Sequence, residues 1–201
     1  MTQSKTRQEC VTQLAYSRPQ QQMPAYHSSF NEEADIRLAG NMAILPIKTK
    51  IRGPAPIAEP EAQDIIDETL DLFRANSLFR NFEIKGPADR TLIVLILYVS
   101  DCLAKIGSAR TTPTQVEAGK SLNTLSVDTF PIPGDANFAL NAHYAAPSSR
   151  QEADYLRQYL IQVRQELAAR LVEILYADGT GKPSKWWMSF QKRRFMNRSL
   201  A

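Results

Sequence analysis

Eight consecutive apolar residues, Leu92-Ile93-Val94-Leu95-Ile96-Leu97-Tyr98-Val99, leave no polar face for water, so the element that carries them is expected to be buried on all sides. The run alone fits a central strand or a core helix; its flanks decide for a helix. Gly86-Pro87-Ala88-Asp89 reads as a helix start, with Gly86 as N-cap, Pro87 at the first helical position and the Asp89 carboxylate near the free amides. Leu103 and Ile106 extend the apolar set, and Gly107 offers a left-handed stop. The pattern predicts one helix over Pro87–Ile106, about twenty residues and roughly 30 Å long. Asp89, Arg90, Asp101 and Lys105 fall inside it, and charge at that depth is costly in lipid, so the prediction is a buried soluble helix and not a membrane span.

A second strong pattern covers Ser149–Ala177. Ser149-Arg-Gln-Glu152 has the form of a capping box. Leu156, Leu160, Val163, Leu167, Leu171 and Ile174 follow at helical spacing, a stripe of about 28 residues that ends at Asp178-Gly179. Glu61–Asn76 is also helical in pattern. Ile65, Ile66, Thr69, Leu70 and Phe73 form one face, and Asp64, Asp67, Glu68 and Asp71 are expected on a solvated opposite face. Leu38–Pro56 is extended, because Pro46, Gly53, Pro54 and Pro56 forbid a long helix. Ile47, Thr49 and Ile51 alternate with Lys48 and Lys50 there, as in an arm that covers its own domain or reaches a partner. Ser108–Lys120 reads as an exposed loop. Phe130-Pro-Ile-Pro-Gly134 reads as an irregular extended path closed by a Pro133-Gly134 turn.

These elements predict an all-α single domain, one buried central helix surrounded by the others, with an extended N-terminal arm. Residues 1–22 are Gln-, Ser- and Thr-rich with little to bury and are expected to be disordered, ahead of a domain over 23–201 in which Met23 is a candidate translation start. Cys10 and Cys102 do not form a disulfide framework, and no apolar leader is apparent; both point to a reducing compartment. Net charge is +3, but six of the 24 basic residues (Lys182, Lys185, Lys192, Arg193, Arg194, Arg198) fall in the last twenty positions with no acidic residue among them. The basic character belongs to the C-terminus.

Catalytic chemistry finds little support. His27 and His143 are isolated, and neither they nor the cysteines have metal-ligand spacing. Gly179-Thr-Gly-Lys182 is too short for a phosphate loop, and no nucleophile elbow is present. His143 between Ala142 and Tyr144 reads as packing. The chain is therefore expected not to be an enzyme and to hold no cofactor or metal. The basic aromatic segment Lys182–Met196 has three readings: aromatics docked on the core with charges that only solubilise, nucleic-acid binding by phosphate neutralisation and stacking, or docking to an acidic protein surface. Adjacent Trp186 and Trp187 point about 100° apart on a helix, so one is expected inward and the other outward.

Several strings then carry a family likeness: Met23-Pro-Ala-Tyr-His-Ser-Ser, Gly40-Asn-Met-Ala-Ile-Leu-Pro-Ile, Arg52-Gly-Pro-Ala-Pro, Ala88-Asp-Arg-Thr-Leu-Ile, Phe130-Pro-Ile-Pro-Gly, Lys182-Pro-Ser-Lys-Trp-Trp and Arg194-Phe-Met-Asn-Arg-Ser-Leu. From Met23 to Ala201 the chain resembles the 21-kDa subunit (subunit 3) of the actin-related protein 2/3 complex, the branched-actin nucleator. The resemblance implies an all-helical, non-catalytic subunit that contacts the actin-related protein 3 subunit, other subunits and the mother actin filament. It implies no nucleic-acid or membrane partner, and a place in the cytoplasm at actin-rich cortical structures. Nucleotide chemistry would belong to the two actin-related subunits. Actin surfaces are acidic, which gives the basic segment a target, with Lys185, Trp187, Lys192, Arg193 and Arg194 as the expected contact residues. Residues 1–22 and the stretch 108–120 have no counterpart in this likeness.

Overall fold

The computed structural model describes residues 26–33, 35–79 and 81–198, so the expectations for residues 1–22 and for Cys10 lie outside the described residues. The architecture is helical: α1 (Ile65–Asn76), α2 (Pro87–Gly107), α3 (Gln115–Val127), α4 (Arg150–Leu175) and the single turn α5 (Lys185–Met188). Two-residue strands β1 (Leu38–Ala39) and β2 (Met42–Ala43) pair antiparallel, and 3-10 turns occupy Ser29–Glu32 and Phe195–Asn197.

Helix α2 is the axis, as its apolar run requires. Leu92 through Val99 are all buried, and α1, α3, α4, α5, β2 and both 3-10 turns pack against the helix. Each fully buried Leu or Ile contributes on the order of 2 kcal/mol. Gly86 is the N-cap and has no side chain to offer; Asn31 supplies the cap from the first 3-10 turn, its Oδ1 accepting from Ala88 N at 3.1 Å and Asp89 N at 3.3 Å. Asp89 does not serve the free amides of its own first turn. Its buried carboxylate accepts from Ser28 N (2.8 Å) and Lys85 N (2.9 Å) and lies 2.9 Å from His27 Nδ1, which ties the N-terminal segment to the core helix.

Expectations and structure part in five further places. Gly107 is no left-handed stop but the last residue of α2, which Ser108 caps in the right-handed region. Ser108–Lys120 is not a loop throughout: from Gln115 the chain is α3, started by a capping box in which Thr114 Oγ1 accepts from Glu117 N and the Glu117 carboxylate takes Thr114 N at 2.9 Å. The α4 stripe ends on buried Leu175, while Ile174 is 38% exposed. The Ser149 box is half formed: Ser149 caps Glu152 N at 3.2 Å, but the Glu152 carboxylate reaches out to Ser148 and, at 2.8 Å, to Gly40 N. Those bonds hold Glu152 below the usual carboxylate range. The reach works because the β1–β2 turn presents its amide at Gly40, whose φ of +59° suits glycine. Lastly, Asp64 and Glu68 of the supposedly solvated acidic face are buried. Glu68 accepts from Ser28 Oγ (2.6 Å), Ser29 N (2.7 Å) and Ser29 Oγ (2.8 Å).

The extended arm lies on its own domain. Tyr159 of α4 accepts from Leu45 N and donates to Leu45 O, Gln162 brackets Ile51 O and Ala55 N, and Tyr155 donates to Pro54 O. A helix has no free backbone donors along its length, so the amides and carbonyls of an arm crossing one must be met by its side chains, as they are here. Asp64 and Arg170 close the arm's far end. Asp64 caps α1 at Ile66 N and Asp67 N, accepts from Lys48 N at 2.8 Å, and receives both terminal nitrogens of Arg170 at 2.9 Å. Arg170 also binds Asp67 (2.7 Å), Glu166 (3.0 Å) and the Lys48 carbonyl, which occupies every donor of its guanidinium. Burial works against the charge of Arg170, but Asp64, Glu166 and Asp67 outweigh it and hold the group firmly protonated. The Arg164 guanidinium is likewise buried, 4.0 Å from the Phe130 ring centre and 4.5 Å from that of Tyr98, and donates to Leu125 O.

Candidate partner-binding surface

The C-terminal segment is aromatic at alternate contacts and basic between them, and the structure separates the two chemistries. Ser184 N donates to Leu175 O at 2.8 Å, which sets the tail at the end of α4. Pro183 then lies just before the helix and Ser184 at its cap, a start without a side-chain hydrogen bond. Within the turn Trp187 is inward, 8% exposed, and Trp186 is outward, 65% exposed. The Trp187 ring stacks on Phe73 of α1, centroids 5.7 Å apart and 12° between planes; Phe190 meets the same ring edge-on at 6.1 Å. Arg74 bridges the two indoles, its guanidinium carbon 5.3 Å from the Trp186 ring and 5.6 Å from Trp187. Further on, Phe195 is fully buried against Phe82 at 5.6 Å, and Met196 N donates to Phe79 O at 3.2 Å. Trp187 and Phe195 thus bolt the segment to the core at two points.

Between and beyond the bolts stand the cations. Lys185, Lys192, Arg193 and Arg194 are all exposed, as is Arg198. None makes an ion pair among the described residues, where the ion pairs involve His27, Lys48, Arg157 and Arg170. Two depressions adjoin them. One, of about 890 Å³, runs from the end of α2 to Trp186 and is edged by Arg110, Lys182 and Lys185. The other, of about 250 Å³, has Ser100, Asp101 and Ala104 of α2 on one side and Lys192, Arg193, Arg194 and Arg198 on the other. Of the five residues expected to make contact, four are brought to the surface and Trp187 is placed under them. Trp186, absent from that set, is the exposed aromatic. The sequence could not choose between the indoles, because Phe190 lies three residues from one and four from the other, and both spacings share a helix face.

His143, read as packing, is exposed; its backbone is engaged, the carbonyl accepting from Arg90 Nε at 3.0 Å and the N–H donating to Leu140 O at 2.9 Å. Cys102 is buried in α2 and burial pushes its thiol up to about 12, so it is an inert group. Among the described residues no group of three His, Cys, Asp or Glu side chains is placed to hold a metal ion, and no helix is long and apolar enough to cross a membrane.

Residues 23–200 match the family model described as P21-Arc, the ARP2/3 complex ARPC3 (21 kDa) subunit. The chain belongs to that family. It is 54% identical over 178 residues to actin-related protein 2/3 complex subunit 3 of Schizosaccharomyces pombe, covering 89% of this chain and all of the relative. The same subunit of Saccharomyces cerevisiae is 50% identical over 182 residues, again 89% of this chain and 100% of the relative. That of Dictyostelium discoideum is 48% identical over 176 residues, 87% of this chain and 99% of its own.

Proposed function

We propose that this chain is a non-catalytic structural subunit of an actin-related protein 2/3 complex. In that role it supports actin filament nucleation and branched network assembly through contacts with the actin-related protein 3 subunit, the other subunits and the mother filament. The observation that carries the reading is the basic strip. Four exposed cations, Lys185, Lys192, Arg193 and Arg194, stand on a backbone fixed by Trp187 and Phe195 and make no ion pair among the described residues. Pre-fixed cations lose little freedom on docking, and an acidic partner face meets them without first breaking an internal ion pair. Trp187 contributes from beneath by holding the strip at its height. The working unit is the single helical domain 23–201, acting in the cytoplasm at cortical actin.

Gentle purification of the tagged chain from its own cells, followed by gel filtration and mass spectrometry, tests this. The expected result is elution in a large stoichiometric assembly with two actin-like proteins. Elution as a lone small protein would overturn the assignment and leave the nucleic-acid reading of the strip to be tested by salt-dependent binding.

A further inference from the structure

We propose that the 250 Å³ recess between α2 and the C-terminal strip binds a polyphosphorylated ligand, a compact ring or headgroup carrying clustered phosphate monoesters. Four cations converge on a space the size of a small molecule, three of them arginines, and among the described residues Asp101 is the one carboxylate on the lining. A guanidinium fork matches phosphate oxygens two at a time, and several such forks around one cavity suit an anion bearing more than one phosphate. A flat acidic protein face needs the charges but not the hollow.

The backbone shows that this convergence is imposed. Met196 and Asn197 are consecutive non-glycine residues in the left-handed region, φ 52° and 53°. Such conformations cost on the order of 1–3 kcal/mol each and persist only where surrounding structure over-determines them. Here buried Phe195, the Met196 N bond to Phe79 O and the Asn197 N bond to Arg194 O do so. The outcome of the reversal is that Arg198, four residues past Arg194, lines the same recess instead of trailing away. A chain that needed only solubilising charge has no reason to hold four like charges together through a strained turn.

The proposal rests on reading the strip as a recognition surface and adds a phosphate ligand to it. The two separate cleanly: loss of phosphate binding with assembly and filament co-sedimentation intact removes this inference alone. The test uses the full chain with inositol trisphosphate by calorimetry, and with phosphatidylcholine vesicles containing phosphatidylinositol bisphosphate by co-sedimentation. Saturable single-site binding is expected, weakened about tenfold or more by Arg194→Gln with Arg198→Gln, since each removes charge-assisted bonds. Lys182→Gln with Lys185→Gln removes the same charge outside the recess and is expected to change binding less than about twofold. All four positions are exposed, so the fold is retained in both variants. Binding in solution but not to vesicles would assign a free inositol phosphate, and binding to both a lipid headgroup. Equal weakening by the two double variants would overturn the site as diffuse electrostatics. Equal binding of a tetraglutamate peptide would overturn it as a generic contact for acids, and absence of binding would overturn it outright.

Discussion

Arg170 sits where three carboxylates and a backbone carbonyl take all its donors, whereas Arg193 and Arg194 are exposed and make no ion pair among the described residues. The chemical group is the same and its two uses exclude one another. In the Arg170 knot the charge is consumed: it joins α1, α4 and the arm, and nothing is left to attract a partner. On the strip the charge adds little to folding, because an exposed cation has little to gain from its own chain, and its field is left open to the solvent side. The aromatics divide in the same way. Trp187 and Phe195 supply the burial that anchors the strip, and Trp186 is left outside.

The largest effect that distinguishes these regions comes from Arg170→Met. It leaves Asp64, which has no exposed side-chain surface, together with Asp67 and Glu166 short of their main counter-charge, and stability should fall by about 3–5 kcal/mol in chemical denaturation. The acid limb sharpens the test. Burial raises the Asp67 pKa, but Lys48, the Asp64 amide and Arg170 together lower it below its ordinary 3.8. Stability from this group is therefore present above 3.8 and lost as pH falls through the lower folded value. In the Met variant the folded pKa moves up, so the gap between the two proteins should narrow as pH drops below about 4. A gap constant across that range would show that the cost is packing and not charge pairing.

Next in size is the tryptophan pair. Trp187→Ala empties a stacked, buried site against Phe73 and should cost about 3–5 kcal/mol. Trp186→Ala removes an exposed ring that meets the Arg74 guanidinium and should cost about 1 kcal/mol or less. Similar losses from both would mean that the strip is not anchored through Trp187. The contrast also marks what the sequence could tell. The run Leu92–Val99 means burial in any fold, and with the Gly86-Pro87 start and the helical spacing of Leu103 and Ile106 it made α2 legible. That one tryptophan is buried was legible as well, but which one depends on where Phe73 lies, and Phe73 is over a hundred residues away. The burial of Asp64, Glu68 and Asp89 was hidden for the same reason: their partners are Lys48, Arg170 and the segment at Ser28, joined to them only by the fold. Helix α3 is a different failure. Its Thr114-Gln-Val-Glu117 box is visible in the sequence, but the polar residues around it and Gly119 masked a helix that buries only Ala118, Leu122 and Ser126.

The smallest effect on stability is expected where the effect on function is greatest. Reversing Lys192, Arg193 and Arg194 to Glu together replaces exposed side chains that make no ion pair among the described residues, so thermal unfolding should move by no more than about 1 kcal/mol in equivalent free energy. Incorporation into the actin-nucleating assembly, or the assembly's co-sedimentation with filaments, should fall by at least about tenfold, because like charges facing an acidic surface cost several kcal/mol. The same reversal at Lys48 and Arg170 would reach partner binding only by way of unfolding, with both readouts falling together. If the strip variant loses stability in step with binding, its charges are part of the fold after all, and the division between consumed and reserved charge fails. If it keeps both, the cations do no more than keep the aromatic anchor in water.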